Sequence, residues 1–240
     1  MKRFYQETGV EAGEGGWRVL LDGKPMRTPA KSVLVVPTKA LAEAIAAEWQ
    51  AVGSGAEIRP TDLPLTRLAA TGLDRVAQQR ARVIEDTVKY GASDLLCYRA
   101  TDPESLVKRQ HERWQPLLDW ASERYGARLS VANGTTFVEQ PREAMETLSA
   151  AVAEHGDLAL SALYNLTHIA GSLVIALAVA EGRLPADKAF EAAQLDELYQ
   201  IERWGEDPLA TERHRGIRAD MAAAARFLAL LETERVRRRA

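Results

Sequence analysis

The stretch LALSALYNLTHIAGSLVIALAVA, residues Leu158–Ala180, contains no Asp, Glu, Lys or Arg and meets the length of roughly 20 residues that a membrane span needs. Whether it is a span or a core helix decides the fold. Ser161, Asn165, His168 and Ser172 recur at helical spacing and form one polar line along it. A single line of hydrogen-bonding groups suits a helix packed among other helices, where each group can find a partner. The flanks carry no cluster of basic or aromatic anchors. The spacing therefore predicts one buried central helix of a soluble bundle, running from Leu158 to Ala180 and ended by Gly182. A membrane-spanning factor is the alternative, and it rests on this stretch alone.

Toward the C-terminus, Pro185 opens a helix on which Phe190, Ala193, Gln194, Glu197, Ile201 and Trp204 project to one face at about 100° per residue. That projection sets a carboxylate in an apolar stripe, so Glu197 is expected inward in a buried ion pair or cap, with Arg67 a candidate partner. Asp196, Tyr199, Gln200 and Arg203 fall on the other side. Gly205 stands where a helix ends, Asp207 where an N-cap is wanted and Pro208 at a first helical position. Helix, tight corner and new helix follow, and Ile217, Met221, Ala224, Leu228 and Leu231 line the final helix. The basic run Arg235–Arg239 complements the dipole at its end.

Toward the N-terminus the period changes to two. Trp17, Val19 and Leu21 alternate with their neighbours, Asp22-Gly23 is a type I′ hairpin signal, and Ser32–Val36 is a further β-branched strand. So small a sheet needs a cover. Thr38 caps a helix carrying Leu41, Ile45, Trp49 and Val52 that can supply it. The prolines of Arg59–Pro64 keep the next segment extended. We place a domain boundary there: residues 1–62 form a β-rich N-terminal domain packed with one helix, and residues 63–240 a mostly helical C-terminal domain. The fold class is α+β.

Between these regions, Leu65, Leu68, Gly72, Val76, Val83, Ile84 and Val88 trace a helical stripe with a break expected at Ala77–Arg80. Asp94–Tyr98 is a short connector. Asp102-Pro103 opens a helix that Pro116 should kink or split. Leu129–Val131 and Phe137–Val138 are expected to pair as a hairpin across Asn133-Gly134. Pro141 begins another helix, closed at His155-Gly156.

The 31 basic and 34 acidic residues give a net charge of −3, interspersed through most of the chain, which argues against a nucleic-acid partner. The single Cys97 forms no intrachain bridge, and with no export signal at the start the expected compartment is reducing. No P-loop, His-Glu-x-x-His or Cys-x-x-Cys pattern occurs, and the four histidines are scattered. Cys97 lies in an apolar run without an activator. One acidic concentration remains: Asp196, Glu197, Glu202, Glu206 and Asp207. It could suggest a small-molecule enzyme using carboxylates around Glu197 and Glu206. Helical projection opposes this, because Asp196 and Glu202 point away from Glu197.

Several motifs occur together along nearly the whole chain: Leu20–Pro25 with Thr28-Pro29, Leu41-Ala42 with Glu48-Trp49, Pro64–Arg67, Asp94–Ala100, Gly171–Leu173 and Leu195–Asp207. In that order they resemble the assembly chaperones of the F-type ATP synthase catalytic head, found in mitochondria and alphaproteobacteria. The resemblance implies binding of the unassembled alpha subunit until the beta subunit can pair with it, with no catalysis and no cofactor. It also implies a cytoplasmic bacterial protein, equivalent to the mitochondrial matrix of eukaryotic relatives, and we expect it to be a monomer when free. The family-characteristic or partner-binding residues it points to are Glu48, Trp49, Leu195, Asp196, Glu197, Tyr199, Gln200, Trp204, Gly205, Glu206 and Asp207. A free ring subunit exposes apolar interface, and covering that surface prevents wrong association by mass action.

Overall fold

The computed structural model describes residues 2–134, 136–205 and 207–237, with side chains to 232. These residues group into two compact units: one drawn from Met1–Arg80, Asp157–Ala162 and Arg226–Ala240, the other from Ala81–Gly156 and Leu163–Ala225. The chain is α+β, with a small strand region at the N-terminus and a helical remainder.

The first unit is built on an antiparallel sheet of β1 (Thr8–Gly13), β2 (Gly16–Leu21), β3 (Lys24–Pro25) and β4 (Val35–Val36), with β2 pairing all three others. The hairpin expected at Asp22-Gly23 forms with both residues at positive φ, 47° and 72°. That is what a type I′ turn requires. The Asp22 carboxylate accepts from the Gln6 and Glu7 amides at 2.9 Å each, and these bonds hold its pKa below the ordinary value. Helix α1 (Lys39–Ala51) begins at Thr38, whose hydroxyl accepts from the Leu41 amide and donates to the Leu230 carbonyl. Leu41, Ile45 and Trp49 are buried with Val19, Leu34 and Val36. The helix thus closes the apolar face that the strands cannot cover alone.

Helix α2 (Pro64–Thr71) runs through a π-helical turn, Gly72–Val76, into α3 (Ala77–Ala92). The break expected at Ala77–Arg80 is present, because Gln79 leaves helical geometry at φ −129°, ψ 32°. The first residues of α6 (Asp157–Ala170) belong to this unit, where Ser161 donates to the Leu68 carbonyl at 2.9 Å. The boundary expected between residues 62 and 63 lies inside the first unit, between a 3-10 turn at Pro60–Asp62 and α2.

The second unit holds the rest of α3 and α6, together with α4 (Glu104–Tyr125), α5 (Arg142–Ala153), α7 (Leu173–Ala180), α8 (Ala186–Ala193), α9 (Leu195–Trp204) and the start of α10 (Pro208–Arg237). Leu158–Ala180 is two helices, not the single one expected. Gly171 takes φ +64° and ends α6; Ser172 is extended and its hydroxyl accepts from the Ile175 amide to start α7. A left-handed glycine lets the chain turn out of one helix, and the N-cap serine that follows at once supplies an acceptor for a free amide of the next. The buried Asp94 fixes the junction by accepting from the Val174 and Leu96 amides, while the Leu95 amide donates to the Gly171 carbonyl. Every residue of α7 from Leu173 to Val179 is buried. Among the described residues no helix is long and apolar enough to cross a membrane.

Two further expectations differ. Of the kink or split expected at Pro116, the split does not occur, since α4 is continuous around it. The hairpin expected over Leu129–Val138 does not form: β6 (Ala132–Asn133) pairs in parallel with β5 (Tyr98–Arg99). Gln140 explains the difference, because its side-chain amide accepts from the Ser130 amide and donates to the Ser130 carbonyl. A side chain thereby satisfies the backbone that a strand partner would have paired.

Candidate functional site

The α9–α10 corner collects most of the residues singled out in the sequence. Leu195 and Tyr199 are its buried side chains, whereas Trp204 is 79% exposed. The inward face is therefore not the one projected through Glu197, Ile201 and Trp204. The projection fails because it treats residues 190–204 as one helix. Gln194, at φ −106°, ψ 19°, separates α8 from α9 and resets the phase.

Tyr199 is held from three sides. Its hydroxyl is hydrogen-bonded to Ser105 Oγ at 2.6 Å, and the Arg109 and Arg203 guanidinium groups lie 5.1 and 5.0 Å from its ring, within cation–π range. Arg109 donates to both carboxylate oxygens of Glu202, and Arg203 donates to Ser105 Oγ. Asp196 accepts from Gln110 Nε2 at 2.7 Å, and Gln110 Oε1 accepts from the Ala100 amide. These bonds fasten one side of α9 to α4.

Glu197 turns to α10. Its carboxylate accepts from Arg213, and the same oxygen is 2.8 Å from His214 Nε2, whose ring packs edge-on against Phe190. The Arg213 hydrogen bond, then that of His214, hold the Glu197 pKa below the usual carboxylate value against partial desolvation. The partners are thus Arg213 and His214 in place of Arg67, and with a side chain 41% exposed Glu197 is not in the buried pair expected. Asp207 caps α10 as anticipated, accepting from the Leu209 and Ala210 amides at 3.4 Å, with Pro208 first in the helix. Gln200 is exposed. Glu206 lies outside the described residues.

The described carboxylates of the acidic concentration take separate partners. Asp196 faces an amide, Glu197 an arginine and a histidine, and Glu202 another arginine. Among the described residues no group of three or more His, Cys, Asp or Glu could hold a metal ion. Cys97 is buried, and its thiol is pushed up to about 12, first by burial and then by the nearby Asp94 charge. A thiol so raised is a poor nucleophile. What the corner presents is an exposed indole, with Leu209 at 80% exposure close by in the chain.

Glu48 and Trp49, in the first unit, act differently. Glu48 Oε1 accepts from the Leu65 amide at 2.6 Å, and Oε2 accepts from the Thr66 amide and hydroxyl at 2.9 Å. A carboxylate from α1 thus caps α2, where Leu63 supplies no side-chain cap. Desolvation raises the Glu48 pKa in spite of these bonds. Trp49 is buried and donates its Nε1–H to Thr66 Oγ1, while its carbonyl accepts from the Tyr5 hydroxyl. The sequence signal for this contact was the uncapped start of α2 at Pro64.

A mostly helical protein whose corner displays exposed apolar side chains, and whose described acidic residues there have separate partners, has the features of the class that binds other proteins. Comparison with known proteins narrows that class. The family model described as ATP12 chaperone protein matches residues 2–122. The mitochondrial atp12 protein of Schizosaccharomyces pombe is 24% identical over 216 residues, spanning 85% of this chain and 74% of that protein. The crystal structure of Atp12 from Paracoccus denitrificans superposes with a TM-score of 0.89 at 43% identity, covering 96% of this chain and 98% of its own. That of a candidate chaperone from Agrobacterium tumefaciens gives 0.88 at 43% identity, covering 97% and 86%. The chain belongs to the ATP12 chaperone family, which acts in ATP synthase assembly.

Proposed function

We propose that this chain binds the unassembled alpha subunit of the F-type ATP synthase through the α9–α10 corner and holds it until the beta subunit pairs with it. The action is ATP-independent and non-catalytic, and it takes place in the bacterial cytoplasm. The observation carrying this reading is the exposure of Trp204 and Leu209, 79% and 80%, on a corner anchored by Tyr199, Asp196 and Glu197. An exposed tryptophan on an anchored helix is the residue type of an interface hot spot. The polar side chains around it, Gln200, Arg203 and Asp207, are exposed and form a rim. Because α9 is fastened to α4 by the Arg109–Glu202 and Gln110–Asp196 bonds, little conformational entropy of that helix is lost on binding.

The test is co-expression with the alpha subunit of the same host, with and without the beta subunit. Soluble alpha should co-purify with the chain and leave it when beta is added. Alpha that stays equally insoluble with and without the chain, and never co-purifies, removes the proposal.

A further inference from the structure

Strand β1 has β2 along one side, and among the described residues no strand or bridge pairs its outer edge. The Glu7 carbonyl accepts from the Asp22 amide at 3.0 Å, and in an antiparallel pair the bonded residues alternate. Gly9, Glu11 and Gly13 therefore turn their N–H and C=O to β2, whereas Thr8, Val10 and Ala12 turn theirs outward. Gln50 Oε1 already accepts from the Thr8 amide at 3.1 Å. The outward groups of Val10 and Ala12 meet no hydrogen-bond partner among the described residues. Neither proline nor lysine, common guards of a free edge, occurs in Thr8–Gly13. Beside this edge a groove of about 490 Å³ runs between β1 and α1, within the roughly 300–1,000 Å³ usual for binding pockets. Val10, Ala46, Ala47 and Ala51 line it with small side chains. Opposite residues of a strand pair share a face, so Val10, paired with the buried Val19, points toward α1. Residues 6–16 carry three glutamates and no lysine or arginine. Glu11 is paired with Arg18, but Glu7 and Glu14, at the two ends of the strand, are exposed and form no ion pair among the described residues.

We propose that β1 takes up an extended segment of another protein as an added strand, with aliphatic or β-branched side chains at alternate positions and lysine or arginine at its ends. An extended backbone matches the spaced donors and acceptors of Val10 and Ala12, as in other cases of strand addition. Every second side chain of such a strand points to one face. Those side chains lie over the groove and lose water against Val10, Ala46 and Ala47. The basic ends meet Glu7 and Glu14, and an acidic segment would set like charge against like, so charge selects the partner. The inference concerns the first unit alone and is independent of the alpha-subunit reading of the α9–α10 corner.

The test uses the full-length chain and two fluorescein-labelled peptides in fluorescence anisotropy, KTVTVTK and its acidic counterpart ETVTVTE. KTVTVTK should bind saturably with Kd on the order of 100 µM. ETVTVTE should bind at least about fivefold more weakly, and about 0.5 M salt should narrow the difference. When KTVTVTK saturates the chain, the amide hydrogens of Val10 and Ala12 should exchange about tenfold more slowly by NMR, while those of Gly9 and Glu11, already bonded to β2, keep their rates. Ala12→Pro removes an outward donor at an edge position that tolerates proline, so it should keep the melting temperature and weaken KTVTVTK about tenfold. Ala47 is exposed, and Ala47→Arg, which fills the groove and repels the basic peptide, should also weaken it about tenfold. Ala47→Arg decides the matter if Ala12→Pro lowers the melting temperature. Absence of saturable binding up to about 5 mM, equal binding of the two peptides, unchanged exchange at Val10 and Ala12, or indifference to Ala47→Arg would each overturn the proposal. A dimer in sedimentation that Ala12→Pro dissociates would also overturn it, by giving the edge to a second copy of the chain.

Discussion

Trp204 presents a bare indole, whereas the Glu197 carboxylate is already paired. Trp204→Ala removes almost no burial, so stability should change by less than about 0.5 kcal/mol. Loss of a hot-spot contact costs about 2 kcal/mol or more, so alpha-subunit co-purification should fall about 30-fold. A lowered melting temperature with intact co-purification would show that the indole serves the fold instead. For Glu197 the folded pKa is lowered, so its stabilisation is present above the unfolded value and is lost as pH falls through the folded one. The pair is substantially exposed and screened, and Glu197→Gln should cost only about 0.5–1 kcal/mol at neutral pH. Glu197→Lys faces Arg213 with like charge and should lower the melting temperature. Lost alpha-subunit rescue at an unchanged melting temperature would instead make Glu197 a client contact.

The helix ends carry the chain's structural decisions at the level of elements. Glu48 caps α2 across the gap from α1, so Glu48→Gln replaces one acceptor with a donor and should cost about 1–3 kcal/mol in denaturant unfolding. Ser172→Ala removes the cap of α7 and should cost about 1 kcal/mol. Asp94, at the same junction, has its pKa raised to about 6, mainly by burial. An acid with a raised folded pKa opposes folding above that pKa and ceases to do so below the unfolded value. Its contribution therefore improves as pH falls from about 6 toward 4, by about 3 kcal/mol for a shift of this size. Asp94→Asn should flatten that part of the stability–pH profile, while losing one of the hydrogen bonds that hold Gly171–Val174. An unchanged profile would mean that Asp94 titrates alike in the folded and unfolded chain.

For the whole molecule, the apolar stretch Leu158–Ala180 is the deciding case. Divided into helices of 14 and 8 residues, neither piece reaches the roughly 20 residues of a span. The intact chain should partition into the aqueous phase in a Triton X-114 separation, and recovery in the detergent phase would restore the spanning alternative. The α+β class, the Asp22-Gly23 hairpin, the covering helix with Trp49 and the Asp207-Pro208 start of α10 were all legible in the sequence. Each is set by local chemistry: a period of two or 3.6, a turn pair that tolerates positive φ, a capping side chain. What the sequence left open was decided by partners far away in the chain. Gly171-Ser172 becomes a helix junction because Asp94 answers its free amides, and Ser130 finds Gln140 where a strand was expected. Glu197 turns outward to Arg213 and His214 because Gln194 interrupts the helix before it. A helical projection carries no information past such an interruption, since one non-helical residue rotates every side chain that follows. The residues forming the corner could thus be named from the sequence, but which of its aromatic side chains faces solvent was settled only by tertiary structure: Tyr199 is buried and Trp204 exposed.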